Sequence, residues 1–246
     1  MVGRTWAVNP ERPPPRSDTP AVVEEAVALS RACPAHRVPG MERRCAAAIL
    51  VNPAWTSAAT PVPFQRFEER PCFEAVLVDH WHDMTKRPLG RADYNRIASD
   101  LTGKPMAPRT GPTWCDSVST GRPTEWPTAA VAAGWRERLT LGSETAVGAF
   151  AAAVFAYGQT ILSHPYPDGN GRLARALFTT TLAREAGLAA PTLVLGPIFY
   201  ANHKRLAAAV RTVGIVGEWG PLVEFLTRAL EIGLTFGRGD LERGAA

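Results

Sequence analysis

The sequence predicts an all-α protein with one small β element, and three observations carry that expectation. Apolar residues recur at every third or fourth position through one segment after another, the period of a helix with one buried face. Residues that start and stop helices bound those segments, among them Thr19-Pro20, Ser143 and Gly187. Residues 103–127, rich in Gly, Pro, Thr and Ser with Trp114, Val118 and Trp126 scattered among them, are different in character and break the period. At 246 residues, 46% of them hydrophobic, the chain can bury one sizeable core.

Residues 1–20 are rich in Pro and Arg and are expected to form a disordered or loosely packed arm. Thr19 then offers an N-cap with Pro20 at the first helical position, and Val22, Val23, Ala26 and Leu29 continue at helical spacing to about Cys33. Pro34 to Gly40 interrupt. Met41, which is also a candidate alternative start, opens a short apolar segment, Ala46 to Val51, that Pro53 ends. Four prolines make 52–71 a loop. Phe73, Val76, Leu77, His80, Trp81 and Met84 form the stripe of the next helix, stopped by Pro88 and Gly90. Its Asp79-His80-Trp81-His82-Asp83 run resembles a metal site in composition, but His80 and His82 stand two apart and diverge on a helix. Arg91 to Leu101 give a further short helix ended by Gly103.

In 103–127 short strands joined by a turn at Ser119-Thr120-Gly121 fit better than a helix. Helical sequence resumes at Pro127-Thr128 through Val131, Trp135 and Leu139. Ser143 is the expected N-cap of a long apolar helix through Val147, Phe150, Val154, Tyr157 and Ile161. A second long helix is expected from about Arg172 to Glu185, with Gly187 as its C-terminal stop. Further helices follow from about Ile198 to Val213 and through Leu222, Phe225, Leu226, Ala229 and Leu230, with a frayed tail after Gly237. The total is about eight helices and one hairpin, with no internal repeat.

Net charge is +4, with no run of five or more Lys/Arg, so nucleic-acid binding is not expected. Cys33, Cys45, Cys72 and Cys115 form neither a Cys-x-x-Cys pair nor a zinc spacing. No signal-peptide pattern opens the chain and no apolar run nears the ~18 residues of a membrane span. The expectation is a cytoplasmic protein without membrane association.

The chemistry concentrates between the two long helices, in Ser163-His164-Pro165-Tyr166-Pro167-Asp168-Gly169-Asn170-Gly171-Arg172-Leu173-Ala174-Arg175. His164 is the one base here whose ordinary pKa lies near neutrality. Asp168 can hold a hard cation such as Mg²⁺. Gly169-Asn170-Gly171 can turn successive backbone N–H groups toward an anion. Arg172 and Arg175 stand three apart in a first helical turn, where cations oppose the helix dipole by roughly 0.3–1 kcal/mol. That placement makes sense if a polyanion is held there by both the helix N-terminus and the guanidiniums. The set suits phosphoryl-type transfer, which depends on gripping phosphates and orienting a nucleophile.

This run resembles the signature of the Fic family, His-x-Phe-x-(Asp/Glu)-Gly-Asn-Gly-Arg-x-x-Arg, and departs from it only at Tyr166, where the family has Phe. The resemblance extends over roughly residues 73–231, with 1–60 as an N-terminal arm and 232–246 as a C-terminal tail. It implies a Fic-type helical domain carrying a small β-hairpin flap. It also implies a Mg²⁺-dependent protein adenylyltransferase that moves AMP from ATP to a Tyr, Thr or Ser hydroxyl of a target protein and releases pyrophosphate. His164 would be the general base and Asp168 the metal ligand, while Gly169, Asn170, Gly171, Arg172 and Arg175 would hold the nucleotide phosphates. The hairpin near residues 109–127 would take the target segment by strand addition.

Two features depart from the family pattern. Asn202 is followed by Leu206 and Ala207 where an Asn and a Tyr-Tyr pair often meet the nucleobase. No good copy of the inhibitory Ser/Thr-x-x-x-Glu-Gly/Asn helix is present; Thr227 to Glu231 has the spacing but continues with Ile232. The first departure keeps open another phosphate-linked donor, transferring phosphate, UMP or phosphocholine. The second leaves inhibition to a separate antitoxin-like partner, or leaves the site without inhibition. A third reading is a nucleotide-binding component without turnover.

Overall fold

A computed structural model of the chain describes residues 21–33, 40–51, 73–116, 123–145 and 148–243. The helices are α1 (Ala21–Ala32), α2 (Met41–Val51), α3 (Phe73–Lys86), α4 (Arg91–Thr102), α5 (Ala129–Ala133), α6 (Trp135–Thr145), α7 (Ala149–Ser163), α8 (Asn170–Ala186), α9 (Gly196–Ala201), α10 (His203–Val216) and α11 (Gly220–Arg243). Between α4 and α5, strands β1 (Trp114–Asp116) and β2 (Pro123–Glu125) pair antiparallel, Trp114 opposite Glu125 and Asp116 opposite Pro123. The turn expected at Ser119-Thr120-Gly121 lies outside the described residues. The predicted all-α class holds.

The α7–α8 pair is the axis of the molecule. Helix α7 carries no charged residue in fifteen, and nearly every one of its positions is buried, as expected of a helix that is apolar all round. It packs along α8, and the six residues between them fix the pair as antiparallel neighbours. On one side α1, α2, α9, α10 and α11 close a core around Phe150, Tyr157, Phe178, Leu182 and Leu226. On the other, α3, α4 and α6 close a second core around Leu77, Ile97, Trp135, Tyr166 and Leu177. Gly158 lets Trp219 lie against α7: a Cβ there would stand 2.6 Å from the indole.

Several expected boundaries move. Ser143 does not cap α7; it lies inside α6, and Gly148, at φ 102°, sets the start of α7 instead. Serine is a good N-cap only where the chain enters a helix, and here the backbone of 135–145 is already helical and continues so past it. Gly134 divides the helix expected from Thr128, and Asn202 divides the one expected from Ile198. The Asn202 amide donates to the Ile198 carbonyl at 2.9 Å, offering the backbone an alternative to the helical ladder. The motif helix begins at Asn170, not Arg172.

The segment 232–246, expected as a tail, is helical as far as Arg243. Ile232, Leu234 and Phe236 are buried in the main core, and Gly237 gives passage to Leu29, 2.7 Å from where a Cβ would sit. Gly233, Gly237 and Gly239 weaken the sequence signal inside that helix, but at Gly233 and Gly237 the lack of a side chain is what permits close packing. Likewise Val22, Val23, Ala26, Leu29, Met41 and Cys45 lie in the main core, so the described part of 1–60 is no separate arm. Residues 1–20 lie outside the described residues. Cys33 and Cys45 are buried and in no disulfide. His80 is buried with its Nε2 2.7 Å from Asp100, while His82 is exposed, so the two rings do diverge.

Candidate functional site

The turn between α7 and α8 is shaped from inside by two buried side chains. Tyr166 is fully buried, and its hydroxyl donates to Asn95 Oδ1 of α4 at 2.9 Å. Its ring packs edge-on against Trp135. Asn170 is also buried: Oδ1 accepts from the Tyr166 amide at 3.0 Å and Nδ2 donates to the Tyr166 carbonyl at 2.7 Å. These two bonds close the loop. The Asn170 side chain thus faces the loop's own backbone, and only its main-chain N–H belongs to the helix N-terminus.

Gly169 stands at φ 78°, and a Cβ there would lie 2.5 Å from Thr102 Cγ2, so this glycine is a requirement of the fold. Gly171 differs. It is exposed, and a Cβ on it would meet nothing within 4 Å. Its small size is not demanded by packing and leaves open room over the first turn of α8.

His164 terminates α7 in the left-handed region, φ 46° and ψ 58°, the single non-glycine at positive φ among the described residues. Such a conformation costs a side-chain-bearing residue roughly 1–2 kcal/mol and is characteristic of functional positions. Its amide still closes on the Thr160 carbonyl at 3.1 Å. The ring is stacked on Trp126, with centroids 4.2 Å apart and planes 11° from parallel. Nδ1 is buried without a full hydrogen bond. Burial first, and the Arg109 charge second, hold the imidazole pKa down to about 4; the Ile161 carbonyl and Asp168 pull the other way. At neutral pH the ring is therefore an uncharged base.

Arg109 was not legible as a site residue. It is buried, and its guanidinium donates to the carbonyls of His164 at 2.6 Å, Gly111 at 3.0 Å, Ser163 at 3.4 Å and Pro127. Its own amide donates to the Pro165 carbonyl at 2.9 Å. Arg138 of α6 reaches the same helix end, donating to Ser163 Oγ at 2.9 Å. No periodicity or motif marks Arg109, Trp126 or Arg138 in the sequence.

Asp168 is exposed beside the N-terminus of α8. One oxygen accepts from the Gly169 amide at 2.6 Å and the other faces Lys104 Nζ at 3.0 Å. Partial burial works to raise its carboxyl, but Lys104 and the Gly169 amide outweigh that and hold it below the ordinary carboxylate range. Arg172 donates to the Leu101 carbonyl at the end of α4. The Arg175 guanidinium lies over the Phe73 ring, 4.4 Å from its centroid. The structure thus gathers His164, Asp168, the Gly169–Gly171 amides and Arg172 at one end of the α7–α8 pair, with Arg175 one turn along. A cavity of about 310 Å³ lined by Tyr94, Leu139, Leu177 and Thr181 shares no residue with this turn.

No protein-family model matches the chain, and no curated protein matches it in sequence. Solved structures do. A Fic family protein from Desulfovibrio desulfuricans G20 superposes with a TM-score of 0.61 at 16% identity, covering 96% of this chain and 78% of that one. A Fic domain containing signaling protein from Bacteroides thetaiotaomicron VPI-5482 superposes with a TM-score of 0.53 at 13% identity, covering 89% and 97%. The fold of this chain is that of Fic proteins. No helix among the described residues is long and apolar enough to cross a membrane.

Proposed function

We propose that this protein is a Fic-type nucleotidyltransferase that moves AMP from ATP to a hydroxyl side chain of a target protein. The observation that carries the reading is the uncharged His164 at a strained helix end, in the same turn as the N-terminus of α8 with its carboxylate and arginines. With Nδ1 buried, Nε2 is the ring nitrogen that takes the proton as the acceptor oxygen attacks the α-phosphorus. The bond to the β-phosphate oxygen breaks and pyrophosphate leaves. The Gly169–Gly171 amides and the positive end of the α8 dipole stabilise the charge on the phosphates. Arg172 and Arg175 carry internal contacts with Leu101 and Phe73 that a polyphosphate shares or replaces.

No group of three or more metal-ligating side chains occurs among the described residues. A lone exposed carboxylate beside backbone amides fits Mg²⁺ nonetheless, because that ion takes one or two carboxylates plus phosphate oxygens and water. Asp168 would hold it, exchanging Lys104 for the metal. When bound, the ion neutralises charge on the phosphates. The β1–β2 pair, with Trp114 exposed on it, is the surface we assign to the target segment. Glu231 pairs with Arg228 on the surface of α11, which leaves two alternatives, inhibition by a separate partner protein or none.

One observation favours a second reading of the donor. Asn202 is buried with its amide on Ile198, and Leu206 and Ala207 offer aliphatic groups where an aromatic pair would meet a base. Another phosphate-linked donor on the same phosphate site fits that surface. The test is incubation of a cytoplasmic extract with this protein, Mg²⁺ and ATP labelled at either the α- or the γ-phosphate. AMP transfer retains the α label on protein, and His164→Ala lowers it by about 10²–10⁴-fold. Retention of the γ label alone, or label unchanged in His164→Ala, overturns the reading.

A further inference from the structure

We propose that Arg109 is the positioning residue of the His164 base, fixing the left-handed helix end on which the imidazole stands to the two roots of the β1–β2 segment. The proposal rests on the assignment of His164 as the base and goes beyond it.

A buried guanidinium ordinarily sits beside a carboxylate, because desolvating its charge is costly. Arg109 has no ion pair among the described residues. Its donors go instead to four carbonyls from three places in the chain. Ser163 and His164 supply the end of α7. Gly111 lies just before β1 and Pro127 just after β2. The last carbonyls of a helix have no partner within it, and they form the negative end of its dipole. A guanidinium there satisfies several at once and lies along the favourable field. A lysine cannot do the same: its ammonium is a point charge without the planar fork.

The consequence for His164 is both geometric and electrostatic. Arg109 holds the carbonyl of Ser163 before the strained residue, that of His164 itself, and through its own amide that of Pro165 after it, so His164 is gripped on both sides. Trp126, the residue before Pro127, stacks on the ring. The same strand pair that we assign to the target segment is thus tied through Arg109 and Trp126 to the base. The groups facing the ring are Arg109, the Ile161 carbonyl of α7, Trp126 and Asp168; Arg138 of α6 donates to Val131, Gln159 and the neighbouring Ser163 Oγ, not to His164. Arg109 is the cation among them, and it adds to burial, the larger cause, in keeping the imidazole uncharged.

The test uses the full chain and reads His164 directly. The five histidine ring signals are followed by two-dimensional NMR against pH, with His164 assigned by its loss in His164→Ala. In Arg109→Met the His164 midpoint should rise by about one pH unit toward the ordinary value, whereas Arg109→Lys keeps a charge and moves it less. Where transfer is measured, kcat should fall about 10²-fold in Arg109→Met, the scale of a misplaced reacting group, with KM for ATP within about threefold. An unmoved midpoint in folded Arg109→Met, or a change in KM alone, overturns the proposal. Should Arg109→Met not fold, the wild-type Arg109 Nε–H decides: exchange slowed at least 10²-fold relative to free arginine supports the clamp, and exchange at the free rate refutes it. A shifted midpoint with no transfer from any donor would leave the clamp standing and remove the proposed reaction. An unshifted midpoint with His164-dependent transfer would do the reverse.

Discussion

His164 joins three properties in one residue: a left-handed backbone, a half-buried ring and a depressed pKa. Its pKa near 4 lies below the value of about 6.5 in an unfolded chain. The unfolded state therefore binds more protons between those values. The stability this group contributes is complete above about pH 6.5 and is lost as pH falls through 4. The same shift sets the expected acid limb of free-enzyme kcat/KM, with a midpoint near 4 instead of 6.5. A pH–rate profile with its acid midpoint at 6 or above would contradict it. The two motif glycines should separate just as sharply. Gly169→Ala meets positive φ and a 2.5 Å contact with Thr102, and should lose about 2–4 kcal/mol in denaturant melts. Gly171→Ala has open space, and should hold or gain up to about 1 kcal/mol while binding ATP more weakly.

At the scale of elements, the α7–α8 pair does two jobs. Its flanks carry both cores, and its turn carries His164 and the N-terminus of α8. Arg172 opposes the α8 dipole in its first turn, and Arg175 stands one turn further along. Here one leans on the carbonyl end of α4 and the other on an aromatic ring of α3. Those contacts hold the guanidiniums beside the site at small cost. Arg175→Ala should lose only about 0.5–1 kcal/mol of stability with its cation–π contact. Its effect on the donor should be larger. If the β- and γ-phosphates extend toward the arginines, a lost charge-assisted bond of about 1.5–3 kcal/mol weakens ATP roughly ten- to a hundredfold and ADP much less. Calorimetric titration of both nucleotides into wild type and variant decides; equal losses for ATP and ADP would reverse the donor's orientation.

Across the whole molecule, the N-terminal helices close the core. Helix α1 contributes Val22, Val23, Ala26 and Leu29, and α11 makes room for Leu29 at Gly237. A chain begun at Met41 lacks α1 and exposes that face. Fully burying each of the three larger side chains contributes about 1.5–3 kcal/mol, an upper figure given residual burial in the unfolded chain. The shortened protein should therefore lose roughly 4–8 kcal/mol and melt well below the full chain. Equal thermal transitions for the two would show that α1 does not support the core.

The helices and the motif were legible in the sequence because both are local. A period of three to four residues is set by neighbours in the chain, and the motif's groups all lie within twelve residues of one turn. The direction each motif group takes was not local. Asn170 turns inward because Tyr166 is buried and its backbone must be satisfied. Gly134 and Asn202 divide helices that the apolar pattern runs straight through, while Gly233 and Gly237 fail to end one. Glycine stops a helix where the chain must turn and remains within it where another element presses close, and only the packed neighbours distinguish the two. Arg109 reaches His164 across 55 positions and carries no periodicity of its own. Sequence alone thus determined the helical class and the chemical inventory of the site. Tertiary structure decided that the histidine is an uncharged base, because burial and a distant guanidinium, neither encoded locally, set its proton affinity.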